Sequence, residues 1–312
     1  MEAAQIYFNP DNQWLLNVVL ASMVLGVALN IKVADFKHVL RMLKAVVVGL
    51  MAQFLLLPIT TLLLTLILEL PAGIELGMML VAACPGGAIS NFVTQLAGGN
   101  TALSISMTAI ASTLAVVMLP FNFIFWSQFN IEASGLLTAI SVDTSGIVVS
   151  LIFILALPLI VGLLVNYKLP EGARILHRFL SVTSTLALIA FVVVAVFRNK
   201  QIFSSNIEML LMVVFIHNAL AFTLGFFAGK ASKLNGRDIK ATTIEVGMQN
   251  SSLAIAIVFT QFDGEAGMAL ITAIWGTWHI VSGLLIALVF RYIGNPSEGR
   301  MPNPTKAARL SK

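Results

Sequence analysis

Apolar stretches long enough to cross a bilayer recur along this chain, separated by short polar segments. A hydrocarbon core about 30 Å thick takes about 20 apolar residues in a helix. Nine stretches meet that measure, near 13–31, 45–68, 75–97, 101–126, 146–166, 178–197, 207–229, 239–261 and 266–290. Polar residues interrupt the third and the eighth. The third carries Pro85, Gly86 and Gly87 in its middle, followed by Ser90 and Asn91; the middle of the eighth reads Glu245-Val246-Gly247-Met248-Gln249-Asn250-Ser251-Ser252. Backbone freed from a helix at membrane depth is tolerated only inside protein or beside a water-filled cavity. If the chain divides into spans 1–4 and 5–9, each broken span is second to last in its group, and the two run in opposite directions. That is the pattern of an inverted repeat with one span missing from the first half, and interrupted segments at matched places point to a binding site. The competing reading of Pro-Gly-Gly is a simple kink where helices pack closely.

Charge sharpens the picture. Only 10% of the 312 residues are charged and 58% are hydrophobic, against roughly 25% charged in a soluble domain. So few charges cannot cover a water-facing surface, which excludes a soluble enzyme and a disordered chain. The net charge of +4 invites a nucleic-acid reading, but the placement of the cations argues for membrane asymmetry instead. Sixteen of the 18 Lys and Arg fall in alternate loops and the C-terminal segment, with only Arg198 and Lys200 on the other side. Cytoplasmic loops collect Lys and Arg, so the division predicts an N-terminus outside, a cytoplasmic C-terminus and a polar tail over 295–312. The first twelve residues contain Glu2 and Asp11 but no Lys or Arg, so the first stretch reads as a retained span rather than a signal peptide. One cysteine, Cys84, excludes a disulfide within the chain.

Within the spans the residue that stands out is Glu245. No Lys or Arg lies in a span except at its very end, and a charge at the helix centre costs about 2.5–3.5 kcal/mol on insertion scales. Either a proton or a bound cation makes it tolerable. Gln249 and Asn250 follow it, and Gln53, Ser90, Asn91, Ser104 and Thr108 bring oxygens from other spans. Ser104 and Thr108 are four residues apart and share a helix face. Many neutral oxygens around one carboxylate suit a hard monovalent ion better than zinc, copper or calcium.

The segments CPGGAISN (84–91) and EVGMQNSSLA (245–254) resemble the two signature segments of the bile acid–sodium symporter family. The resemblance extends through AQFLLLP (52–58), GNTALSISMT (99–108), HNALAFTLGFFAGK (217–230) and WHIVSG (278–283). It implies a panel domain, about 13–31 and 146–197, and a core domain, about 45–126 and 207–290, in which the two discontinuous helices cross. Bacterial members usually have ten spans; this chain lacks the first. The resemblance further implies two sodium sites. One would use Ser90, Asn91, Ser104, Thr108 and Glu245, and the other Gln53, Glu245, Gln249 and the backbone carbonyls of Val246 and Met248. Family substrates are organic anions such as bile salts, sulfated steroids and small carboxylates such as pantoate. Ala88, Asn250, Ser251 and His279 are the substrate-cavity positions it implies. Ala88 stands where a threonine is common and Ile280 where an asparagine is common, so the relatives' substrates need not carry over.

The expectation is therefore a multi-pass membrane transporter, sodium-coupled and moving an organic anion by alternating access. It needs no cofactor beyond Na+ as coupling ion. Oligomeric state stays open. A proton-coupled or uncoupled carrier is the alternative. An intramembrane hydrolase with Ser90 as nucleophile and His279 as base lacks the GxSxG setting, and a receptor would not need intact ion ligands. His217 with Asn218 suggests an interhelical hydrogen bond or a proton relay.

Overall fold

The computed structural model describes residues 13–32, 35, 39–140, 144–198 and 200–292. The proposed tail over 295–312 and the N-terminal acids Glu2 and Asp11 lie outside the described residues. Within them the chain is helical, with no strand: α1 (Gln13–Ala28), α2 (Leu43–Leu68), α3 (Ala72–Ala83), α4 (Ile89–Leu96), α5 (Thr101–Ser127), α6 (Ile131–Ile140), α7 (Thr144–Lys168), α8 (Pro170–Arg198), α9 (Lys200–Ala231), α10 (Gly236–Gly247), α11 (Ser251–Gln261) and α12 (Ala266–Tyr292). Each apolar stretch read from the sequence falls on a helix or, for the third and eighth, on a pair. Among the described residues five helices are long and apolar enough to cross a membrane: α2, α5, 148–168 of α7, 207–231 of α9, and α12. A half-helix of 12 residues such as α3 or α10 reaches only about 18 Å, so neither spans a bilayer core alone.

Local chemistry explains the departures from plain helix. Pro58 has no N–H to offer the carbonyl four residues back, and its ring crowds that carbonyl. The preceding turn, Ala52–Leu56, widens into a π-helix, in which Leu57 N donates to Ala52 O. Thr60 and Thr61 hydroxyls return hydrogen bonds to the carbonyls of Leu56 and Leu57. The widened turn carries Gln53, which is fully buried. The break after α3 is set by Pro85, whose missing N–H and restricted predecessor end the helix; Cys84 is already extended. The break after α10 ends where Asn250 caps the next helix, its Oδ1 accepting from Leu253 N at 3.1 Å.

Three helices form one unit. Asn166 of α7 donates to the carbonyls of Leu29 and Ile31 at the end of α1, at 2.7 and 2.8 Å. His177 of α8 bonds Gly26 O of α1. The remaining helices surround α3, α11 and α12, which contribute most to the largest apolar core. The acidic side chains also divide in a way the sequence did not show. Glu75 is buried in the first turn of α3, where Leu70 N and Asn130 Nδ2 donate to it at 3.0 and 2.8 Å. An anion at a helix N-terminus is favoured by the unpaired N–H groups there.

Candidate functional site

The two breaks meet. Gly86 pairs with Gln249 in an antiparallel bridge. Gly87 N donates to Met248 O at 2.9 Å, and Asn250 N donates to Pro85 O at 2.8 Å. Backbone groups that the interrupted helices leave open are thus satisfied by each other, as hydrocarbon surroundings demand. A third tie comes from α9: Asn218 Nδ2 donates to Gly247 O at 2.8 Å, and Ser282 of α12 donates to Asn218 Oδ1.

Glu245 sits against this crossing with no exposed surface. Ser90 and Ser104 hydroxyls donate to its Oε2 at 2.7 and 2.9 Å, and the Thr108 hydroxyl donates to Oε1. Asn91 Oδ1 lies 2.8 Å from Ser104 Oγ and 3.3 Å from Thr108 Oγ1. The first predicted set, Ser90, Asn91, Ser104, Thr108 and Glu245, is therefore brought into one cluster from α4, α5 and α10. Every partner of the carboxylate is neutral.

Of the second predicted set, Gln53, Gln249 and the Val246 carbonyl are joined by hydrogen bonds. Gln53 Nε2 donates to Gln249 Oε1 at 3.3 Å and to Cys84 O at 3.5 Å. Gln249 Nε2 donates to Val246 O at 2.8 Å. The Val246 and Met248 carbonyls each accept one hydrogen bond already, and a carbonyl oxygen keeps a second lone pair. Gln53 Oε1 is buried and has no partner, and a buried acceptor left open calls for an occupant. Among the described residues no three His, Cys, Asp or Glu side chains gather as they would around a transition metal.

Beside the crossing lies a cavity of about 550 Å³. One wall is built by α1, α7 and α8 through residues such as Met23, Leu155 and Ser184. The other is built by the breaks, and it holds Ala88, Asn250, Ser251 and His279. Ser90 and Gln249 belong to both the oxygen clusters and the cavity wall. Among the described residues no Lys, Arg, Asp or Glu lines it. His279 donates through Nδ1 to Trp275 O at 3.0 Å and stacks on the Trp275 ring. His217 lies outside the cavity wall, sharing a 2.9 Å hydrogen bond with Thr61.

Sequence reasoning offered an interhelical hydrogen bond at His217–Asn218, which Asn218 makes, but it did not identify Gly247 as the group supported, Ser282 as the support of Asn218, or the capping role of Asn250. An Asn directly before an apolar helical run is a helix-start signal and marks Asn250; nothing in spacing marks Asn218 or Ser282.

Comparison with known proteins gives the family. The profile of the Sodium Bile acid symporter family matches residues 17–206. The chain is 32% identical over 273 residues to the uncharacterized sodium-dependent transporter YocS of Bacillus subtilis, covering 87% of this chain and 81% of that one. It is 29% identical to the probable sodium/metabolite cotransporter BASS1, chloroplastic, of Oryza sativa subsp. japonica, over 89% of this chain and 66% of the other. It is 24% identical to the human ileal sodium/bile acid cotransporter, over 80% and 70%. With apolar helices of spanning length and a profile match across more than half its length, the chain belongs to the sodium bile acid symporter family and is a multi-pass membrane transporter.

Proposed function

We propose that this protein is a secondary active transporter that carries an organic anion together with sodium by alternating access. The observation that carries the reading is Glu245: a fully buried carboxylate with only neutral hydroxyl partners, at the crossing of two broken helices and one residue layer from a cavity. A monovalent cation among Glu245, Ser90, Asn91, Ser104 and Thr108 balances that charge with hard oxygen ligands. A second site would draw on Gln53, Glu245, Gln249 and the carbonyls of Val246 and Met248, and the open Gln53 Oε1 supports it. The cavity volume falls within the roughly 300–1,000 Å³ of small-molecule sites. Its anion end would be the start of α11, where the helix dipole favours negative charge. A bile-salt-like, sulfated steroid or small carboxylate substrate fits an uncharged wall of this kind.

The same reading supplies the architecture. Two units match in order, α2, α3, α4, α5 and α9, α10, α11, α12, and match in length at two places, with 12-residue first halves in α3 and α10 and 27-residue closing helices in α5 and α12. Such matching supports an inverted repeat whose nine membrane crossings begin outside and end in the cytoplasm. The α1–α7–α8 unit would be the panel, and the two matched units the core that moves against it once sodium and substrate have bound.

A melting-temperature titration of purified protein with sodium against potassium, at constant ionic strength, tests the coupling ion. A ligand bound only by the folded state stabilises it by RT ln(1 + [L]/Kd), about 2.7 kcal/mol at 100 Kd. Sodium alone is expected to raise the melting temperature; equal curves for the two ions exclude a sodium site, and dependence on pH in their place would point to proton coupling. For the substrate end, Asn250→Asp keeps an oxygen to cap α11 but places a negative charge in the cavity wall. KM for an anionic substrate is expected to rise about 10-fold or more, from a like-charge penalty of about 1.4 kcal/mol, with the sodium titration unchanged. An unaltered KM would move the anion away from Asn250.

A further inference from the structure

The N-terminal ends of α5 and α10 are fastened to each other. Asn100 caps α5, its Oδ1 accepting from Leu103 N at 3.2 Å. Its Nδ2 donates to Asp238 Oδ1, in the first turn of α10, at 2.7 Å. Asn100 N donates to Arg237 O at 3.0 Å, so backbone and side chain tie the same two turns. The other Asp238 oxygen accepts from Asn235 Nδ2 at 2.6 Å, and Asp238 N donates to Asn235 Oδ1 at 3.0 Å. Lys240 Nζ donates to Ala97 O at the end of α4 at 3.2 Å. The chain reaches this position through Gly98, whose φ of +67° lies in the left-handed region that glycine adopts without strain.

This fastening bears on the carboxylate cluster through helical register. From Asn100, steps of four residues lead to Ser104 and then Thr108; from Asp238, a step of seven leads to Glu245. Steps of four and seven keep one helix face. At 1.5 Å per residue, Thr108 lies about 12 Å along α5 and Glu245 about 10.5 Å along α10 from the fastened turns. The two helices leave a common start and arrive side by side with their oxygens in contact. Two helix N-termini held together also repel, and a carboxylate placed between them offsets that.

We infer that the Asn100–Asp238 pair is a positioning brace that sets the relative register of α5 and α10, and thereby the spacing of Ser104, Thr108 and Glu245 as ion ligands. Neither side chain is hydrogen-bonded to the side chains of the ion cluster. This rests on the reading that Glu245 and its hydroxyl partners hold sodium.

The test is an exchange of donor and acceptor, read by the sodium titration of melting temperature with potassium as reference. Asn100→Asp keeps the cap on Leu103 N but sets two carboxylates against each other. Asp238→Asn removes the acceptor charge. Each alone is expected to raise the sodium concentration for half-maximal stabilisation about 10-fold, the scale at which supports of ion ligands act. Together they restore a donor facing an acceptor, because the amide at 238 can donate to the carboxylate at 100, and the midpoint is expected to return toward that of the parent. A merely structural contact would shift the sodium-free melting temperature without moving the midpoint. Singles with the parent's midpoint, or a double no better than the worse single, overturn the inference. If a single variant fails to fold, Asn100→Ser keeps the cap without the amide and without new charge, and an unmoved midpoint there overturns the inference equally. Glu245→Gln measured alongside separates the two levels: a sodium response that survives it removes the sodium reading and the brace with it, whereas a response lost there but untouched by the brace variants removes the brace alone.

Discussion

Glu245→Gln is expected to erase the sodium response while leaving the protein folded. The argument begins with what surrounds the side chain. Ser90, Ser104 and Thr108 all donate hydroxyl protons to the carboxylate. A hydroxyl can turn and accept instead, so the amide of Gln finds partners for both its oxygen and its NH2 group in the same space. The substitution also removes a buried charge that has no cationic side chain beside it. The sodium-free melting temperature should therefore stay level or rise. Sodium loses its only anionic ligand, and its midpoint should move by on the order of 100-fold or more, beyond the effect of changing a mere support of a ligand. Sodium-dependent uptake should fall to the potassium baseline. The checking measurement is the paired sodium and potassium titration of parent and variant. A variant that still distinguishes sodium from potassium as the parent does would remove Glu245 from the ion site.

Much of this arrangement was legible in the sequence, for identifiable reasons. Hydropathy and the bilayer thickness locate helices such as α2, α5 and α12 to within a few residues, because spans need a fixed length and lipid excludes polar backbone. The breaks were visible because Pro85 cannot continue a helix and because polar residues at membrane depth need a purpose. Oxygen-bearing side chains near the breaks could be gathered by type, and the structure brings Ser90, Ser104 and Thr108 onto Glu245. Three features stayed hidden. The π turn at Gln53 leaves no mark in a hydropathy pattern, since it changes the facing of one residue without changing composition. The ten-residue α6 is too short for a spanning window and fell in what read as a loop. Glu75 opens the third apolar stretch, yet Asn130, distant in sequence, allows it to be buried. For Glu75 the deciding partner comes from elsewhere in the chain, which a local pattern cannot reveal.

Gly86→Ala is expected to be as damaging to ion binding as the loss of a ligand, whereas Gly87→Ala next to it is expected to leave the sodium response intact. The contrast follows from space rather than from backbone conformation. Gly86 is not among the residues with positive φ, so alanine is conformationally allowed there. A methyl group on Gly86 would overlap Glu245 Oε1 and come within 3.0 Å of its carboxyl carbon. Relief requires either that the carboxylate leave its three hydroxyls or that the Gly86–Gln249 pairing open. Both disrupt the cluster. At Gly87 the nearest atom to an added methyl is Gln249 O at 3.5 Å, an ordinary contact. Forcing a methyl into a filled interior costs about 1–3 kcal/mol, and at 1.4 kcal/mol per decade that is roughly a 5- to 150-fold weaker sodium midpoint for Gly86→Ala. Gly87→Ala should stay within about threefold of the parent, since ordinary contact distances demand no rearrangement. The two variants differ by one position in the same Pro-Gly-Gly turn, so a shared loss would mean that the turn needs glycine flexibility throughout. A selective loss at Gly86 would instead tie the turn's composition to the carboxylate it admits: the missing side chain at Gly86 is the space that Glu245 occupies.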